Sequence, residues 1–306
     1  MSLQQTIAKK VTYSGIGLHS GQPVRLSFVP APVDSGIRFR RTDISENDTV
    51  AAQIRYVTNT MRATTLENGA VMVTTVEHVL SAIRALEIDN IIVELDSVEP
   101  PVGDGSAAVF VGLLDEAGIV TQDAERRYLP VTKSVGVYDT PNDRFIVALP
   151  YDGFRVTFLA EKEDHPLLRL QAMDIEITTE NYRNSIMRAR TIGFTEELEQ
   201  LRKMGLGRGG TLENAVVYSP TEVLSELRYP DEVVRHKILD VIGDLALAGP
   251  LKAHIIARKS GHQLNTELAR RLVESVAKED PVLNLKLLKL WKFCRIVTPC
   301  CWWIVC

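Results

Sequence analysis

The sequence predicts an α+β fold built from two similar domains packed together. Three observations point there: β-rich segments open each half of the chain, amphipathic helices close each half, and the second half repeats the element order of the first. Residue identity between the halves is slight, so the repeat is one of order alone.

Taken along the chain, KKVTYSGIGLHSG, PVRLSFVPA and GIRFRRTD carry strand signals, with Val24, Leu26 and Phe28 at alternate positions. The first forty residues therefore read as antiparallel β-structure. Within NTMRATTLENGAVMVTT, the Asn68-Gly69 pair between β-branched runs predicts a hairpin. A helix follows over residues 74–86, with Val76, Val79, Leu80 and Ile83 at core spacing, then the strand NIIVELD and the turn-rich PPVGDGSA. Asp104 or Ser106 is placed to cap a helix over residues 107–117 that ends at Gly118. TQDAERRYLP is charged and reads as weakly structured. A domain boundary is placed near residues 122–127, giving an N-terminal domain of 1–125 and a C-terminal domain of 126–278.

The second half opens with the strands VTKSVGVYD, DRFIVALPYDG and FRVTFLAE. YPDEVVRHKILDVIGDLALAG is its long helix, with Asp231 as N-cap; HIIARK is a strand and NTELARRLVESVAK a closing helix. Between strands and long helix lies an irregular section in which a short helix precedes Gly205, Gly207, Gly209 and Gly210. Their spacing departs from GxGxxG and from a P-loop, which speaks against a phosphate cradle and leaves a backbone lying close to a ligand or another helix.

Composition narrows the function. With 306 residues, 45% hydrophobic and 24% charged, the chain is that of a soluble globular protein. A net charge of −4 and the lack of a Lys/Arg run argue against a nucleic-acid partner. No apolar stretch is long enough to span a bilayer and the N-terminus lacks a signal-peptide core, so a cytoplasmic location is expected. All four cysteines (Cys294, Cys300, Cys301, Cys306) fall in the last thirteen residues. A metal held in the body of the chain must therefore use His and carboxylate ligands.

The polar residues of the two helices are the informative ones. His236 and Asp240 are four apart and share a face that Gly243 and Asp244 continue. On the other helix Glu77 and His78 are adjacent, and His78 is followed on its face by Ser81, Ala82 and Ala85. Strips of small residues let helices approach closely, so the two polar patches can meet at a domain interface. The competing reading leaves Glu77-His78 on a solvated face and His236-Asp240 as a surface hydrogen bond. If the patches meet, His78, His236 and Asp240 surround one divalent ion, and two imidazoles with one carboxylate suit a catalytic zinc with an open position. Glu77 then stands beside that position as a general base. His262, in SGHQLN, reads as a residue of the turn before the closing helix, where a cationic imidazole can steady an oxyanion and protonate a leaving amine. Asp244 is placed to hydrogen-bond it. A turn histidine satisfied by backbone is the alternative.

TVEHVLSAI, RHKILDVIGDL, SGHQLN, GIGLHSG, RARTIGF and PPVGDGSA, in their order along the chain, resemble the UDP-3-O-acyl-N-acetylglucosamine deacetylase family, zinc amidases of lipid A biosynthesis in Gram-negative bacteria. The likeness runs from about residue 5 to about residue 275. It implies zinc ligands at His78, His236 and Asp240, a general base at Glu77, and a catalytic histidine at His262 oriented by Asp244. It further implies that the Thr191 hydroxyl helps bind the oxyanion and that Lys237 contacts the substrate, an acylated UDP-N-acetylglucosamine. The implied fold is a pair of β-α-α-β domains sandwiching their helices, each with an insert; the second, near residues 191–217, forms a passage for the acyl chain. Phe194 and Met61 are expected to line that region, and His19 either approaches the substrate or serves its turn. His165 and His254 are assigned to structure or surface. A monomer is expected.

The sequence departs from the family in two places. Ile192 stands where Phe is common, loosening a packing contact against the sugar. Residues 279–306 fit no ending of the family, and their cysteines and Trp302-Trp303 are unlike the rest. A shifted reading frame or divergent tail is the leading account; a membrane-surface contact or thiol metal site is the alternative. Two other functions stay open: a zinc amidase acting on another substrate, and an inactive binding protein.

Overall fold

The computed structural model describes residues 2–279 apart from Glu46 and Glu163. The expectations for the cysteine- and tryptophan-bearing tail lie outside the described residues. In the first half the strands are β1 (Leu3–Ile7), β2 (Val11–Ile16), β3 (Pro23–Pro30), β4 (Ile37–Arg41), β5 (Thr49–Ala51), β6 (Val57–Asn59), β7 (Thr65–Asn68) and β8 (Val71–Val73). Helix α1 (Glu77–Ala85), β9 (Ile91–Leu95), α2 (Ala108–Ala117) and β10 (Ile119–Glu125) complete it. The second half runs β11 (Val135–Asp139), β12 (Arg144–Pro150), β13 (Phe154–Ala160), β14 (Gln171–Glu176), α3 (Thr179–Ser185), β15 (Ile192–Phe194), α4 (Thr195–Lys203) and β16 (Val216–Tyr218). It closes with α5 (Glu232–Leu245), β17 (Ala253–Arg258) and α6 (His262–Glu279).

Two five-stranded sheets of the same topology dominate this mixed α+β architecture. Their orders are β2-β3-β9-β4-β5 and β11-β12-β17-β13-β14. In each, the strand that follows the long helix inserts at the centre, parallel to one neighbour and antiparallel to the other. Alternation explains why one face of each sheet is covered: Val24, Leu26 and Phe28 in β3 are buried, as are Phe154, Val156, Phe158 and Ala160 in β13. Helices α1 and α5 pack against each other, and every residue of α1 except Arg84 is buried.

Several local expectations are corrected. The first forty residues are not wholly antiparallel, because β4 runs parallel to β9. In the β7–β8 hairpin the register Asn68↔Val71 puts the two turn residues at Gly69 and Ala70, with Gly69 taking the positive φ. Helix α1 starts at Glu77 rather than residue 74: Thr75 has φ +56° and its hydroxyl donates to Glu99 Oε1 at 3.0 Å, which holds the chain out of helical conformation. TQDAERRYLP is not weakly structured throughout, since its first part lies in β10, paired antiparallel with β1. Helix α6 starts at His262, so this residue opens the helix instead of sitting in the turn before it. The Asn265 N–H donates to the Gly261 carbonyl at 3.0 Å, carrying helical bonding back past residue 265. Asp231 flanks α5 without capping it by side chain, its carboxylate being engaged by Arg235 at 2.6 Å. Ser106 accepts from the Ala108 N–H at 3.1 Å at the start of α2.

Candidate active site

The α1–α5 contact is set by backbone meeting backbone. A Cβ on Gly243 would lie 2.0 Å from the Glu77 carbonyl oxygen, so only glycine fits there. This brings the start of α1 to the middle of α5, and one ligand atom from each of His78, His236 and Asp240 falls within 4.8 Å of the others. Asp240 Oδ1 stands 3.4 Å from His236 Nε2 and 3.9 Å from His78 Nε2. His236 Nδ1 lies 3.1 Å from the Ala189 carbonyl; as only a protonated Nδ1 can bond there, Nε2 is left as the free lone pair.

The protonation states suit a metal. Burial and the neighbouring His236 push His78 down to about 3, and burial lowers His236 as well, so both imidazoles are neutral near pH 7. Burial opposes ionisation of Asp240, yet His236, Lys237, His262 and His78 together hold it well below the usual carboxylate range. Asp240 Oδ2 accepts from Lys237 Nζ at 2.7 Å, while Oδ1 is buried with no hydrogen-bond donor. A buried acceptor facing two imidazoles and lacking a donor is an arrangement that suits a cation. The residues present fit a divalent metal ion.

Beside this cluster lies a second one. Glu77 is buried, and burial, with the Asp244 and Asp240 carboxylates adding and His262 opposing, pushes its carboxyl up to about 7. His262 Nε2 stands 4.0 Å from Glu77 Oε1, and His262 Nδ1 2.9 Å from Asp244 Oδ2. Burial alone would lower His262, but Asp244 and Glu77 outweigh it and raise the imidazole to about 10, so it is a cation at neutral pH.

Both clusters border a cavity of about 630 Å³. Thr191, Lys237 and His19 line it too, with Leu201, Leu206 and Leu212 among the apolar residues of its wall. Thr191 is held by its backbone, donating to the Gly105 carbonyl at 2.9 Å and accepting from Val216 N–H at 2.8 Å. His19 Nδ1 accepts from the Gly207 N–H at 3.3 Å and its Nε2 is buried without a partner; burial lowers its pKa. Phe194 and Met61 are not among the lining residues. Phe194 instead borders an adjacent cavity of about 270 Å³ and packs against His165 and Tyr218, while Met61 is 57% exposed. Within the glycine-rich run Gly207 and Gly210 line the cavity, while Gly209 lies against the GIGLHSG hairpin, where a Cβ would fall 2.2 Å from the Gly17 carbonyl oxygen.

Sequence reasoning passed over three buried residues near the site. Glu99 accepts from the His19 and Ser20 backbone N–H groups and from the Thr75 hydroxyl. Thr64 and Asn265 both donate to Asp244. Asn265 closes the SGHQLN motif, whose signal was read for His262 alone; Thr64 stands in no such motif, and Glu99 is a lone acid before two prolines.

An α+β protein with a buried His-His-Asp cluster beside a carboxyl of near-neutral pKa and a cationic imidazole, all facing one cavity, has the site of a metal-dependent hydrolase. Residues 4–274 match the family model of UDP-3-O-acyl N-acetylglycosamine deacetylase. The chain is 43% identical over 279 residues to the UDP-3-O-acyl-N-acetylglucosamine deacetylase of Cellvibrio japonicus, covering 90% of this chain and 91% of that one. It is 45% identical over 278 residues to that of Pseudomonas entomophila, covering 89% and 91%. With the Anaeromyxobacter deacetylase it shares 45% over 273 residues, 88% of each chain. The chain belongs to the UDP-3-O-acyl N-acetylglycosamine deacetylase family.

Proposed function

We propose that the protein hydrolyses the N-acetyl group of UDP-3-O-acyl-N-acetylglucosamine, releasing acetate, as a step of lipid A biosynthesis. The observation that carries this reading is the convergence of His78, His236 and Asp240 beside Glu77 and His262 on one cavity. Those three residues would hold zinc, the ion that two imidazoles and one carboxylate suit. When bound, zinc would polarise the acetamide carbonyl and acidify a water molecule in the site. Glu77, not itself a ligand, takes a proton from the water that adds to the carbonyl carbon. His262, kept charged and oriented by Asp244, offsets the charge growing on the carbonyl oxygen, and then protonates the departing nitrogen. Thr191 is assigned to the same oxygen, and Lys237 and His19 to contacts with the sugar nucleotide. Phe194 and Met61 are assigned to the acyl chain: Phe194 borders the adjacent cavity that Lys237 also lines, and Met61 stands exposed between Thr60 and Arg62 of the main cavity's lining.

The same reading covers the finer architecture. Two β-α-α-β domains, 1–125 and 126–278, would sandwich their helices, which the shared strand order and the α1–α5 contact support. The insert at 191–217 would guide the acyl chain, supported by its leucines at the cavity wall. A monomer in the cytoplasm fits a water-soluble head group and the lack, among the described residues, of a helix long and apolar enough to cross a membrane.

The test is acetate release from the acylated sugar nucleotide, measured before and after chelation and compared with the sugar nucleotide lacking its acyl chain. Turnover should vanish on complete metal removal, return with zinc, and be weak without the chain. Activity that persists in metal-free protein would sink the mechanism. Equal rates on both substrates would favour a zinc amidase of different specificity.

A further inference from the structure

We propose that Thr64 is a positioning residue that ties the Glu77 carboxylate and the Asp244–His262 pair into one hydrogen-bonded frame. The proposal rests on the deacetylase reading above and adds to it a residue that touches no substrate.

Thr64 is fully buried and uses all three of its polar groups. Its backbone N–H donates to Glu77 Oε2 at 3.0 Å, its hydroxyl donates to Asp244 Oδ1 at 2.6 Å, and its carbonyl accepts from the N–H of Val76, just before α1, at 3.3 Å. The first two bonds reach opposite partners of the proposed chemistry, one on α1 and one on α5. With Oε2 engaged, Glu77 presents Oε1 on the side of His262. Asp244 is constrained likewise: Oδ1 takes the Thr64 hydroxyl, while Oδ2 takes His262 Nδ1 and Asn265 Nδ2, both at 2.9 Å. Asn265 is fixed in turn by the Ser260 hydroxyl, which donates to its Oδ1 at 2.5 Å. A buried carboxylate with both oxygens occupied cannot turn away from the imidazole it orients without leaving a donor unpaired. Thr64 is the member of this network that bonds to both carboxylates, so it sets their mutual position as a side chain bonded to one could not.

The experiment compares Thr64→Val, which removes the hydroxyl at near-constant shape, with Thr64→Ser, which keeps it. Thr65→Val serves as control, its hydroxyl being paired with Thr74 instead. In metal-replete protein, Thr64→Val should lower kcat by about ten- to a hundredfold with KM little changed, the scale seen for outer residues that orient a metal site. Thr64→Ser should restore most of the rate, and Thr65→Val should match wild type. In a His262→Ala background, Thr64→Val should cost little more, because the residue it acts through is gone. Wild-type kcat in Thr64→Val, no rescue by serine, or an undiminished loss in the His262→Ala background would each overturn the proposal. An activity-free readout is the nitrogen-15 imidazole spectrum. The His262 Nδ1–H resonance should move in Thr64→Val and stay in place in Thr65→Val; an unmoved resonance also overturns it. A resonance that moves in a chain releasing no acetate upholds the frame and fails the deacetylase reading alone.

Discussion

Glu77 and His78 are neighbours in sequence with opposite protonation. Burial raises the first to about 7 and drives the second to about 3, because burial disfavours whichever form carries charge. Replacing Glu77 with Ala should therefore reduce acetate release by about 10²–10⁴-fold, the usual worth of a general base, while metal analysis still finds the ion bound. Replacing Asp240 with Ala should instead empty the site, and metal analysis of the purified variant checks this. His78, His236 and Asp240 were legible in sequence because helical spacing puts each on a predictable face. Thr64 was not: it belongs to an irregular segment, and its bond to Asp244 joins positions far apart in the chain.

Helices and strands were legible where periodicity was strong, as in β3, β13 and α5, and illegible where a tertiary bond overrides local preference. Thr75 shows why: the α1 pattern extends back to residue 74, yet a buried Glu99 captures the Thr75 hydroxyl and delays the helix. The parallel pairing of β4 with β9 was likewise hidden, since pattern cannot reveal which strand lies beside which. At this scale, Gly243→Ala should push α1 from α5 and cost about 1–3 kcal/mol as an overpacked contact, with a weaker hold on metal; thermal unfolding and metal titration measure both. The start of α5 makes a second prediction. Burial opposes ionisation of Glu232, but Arg190 and the backbone N–H groups of Arg190 and Arg228 hold its pKa below the ordinary glutamate value of 4.5. A depressed folded pKa contributes stability that is fully present above the unfolded value and is lost as pH falls through the folded one. Glu232→Gln should therefore lower stability near pH 7 and flatten its decline below about pH 4.5 relative to wild type, as denaturant unfolding across pH would record.

For the whole molecule, the duplicated order of elements was visible in the sequence, and the two sheets carry that order as the same topology. Gly243 was legible as part of a small-residue face that lets the helices approach; what the sequence could not reveal was that it stands opposite the Glu77 carbonyl. The proposed ion draws one ligand from the first half and two from the second, so binding it should stabilise the folded chain by linkage. Added zinc should raise the melting temperature of metal-free wild type and leave that of an Asp240→Ala, His236→Ala double variant unmoved; calorimetry distinguishes these.

The contact of Gly243 with the Glu77 carbonyl has a consequence for how freely this sequence can vary. Main chain stands against main chain there, so the separation of α1 and α5 at this level is set by backbone atoms and not by side-chain bulk. The ligand atoms sit within a turn or two of that point. Side-chain changes elsewhere in the core therefore bear on the donor spacing less directly than a Cβ at Gly243 would.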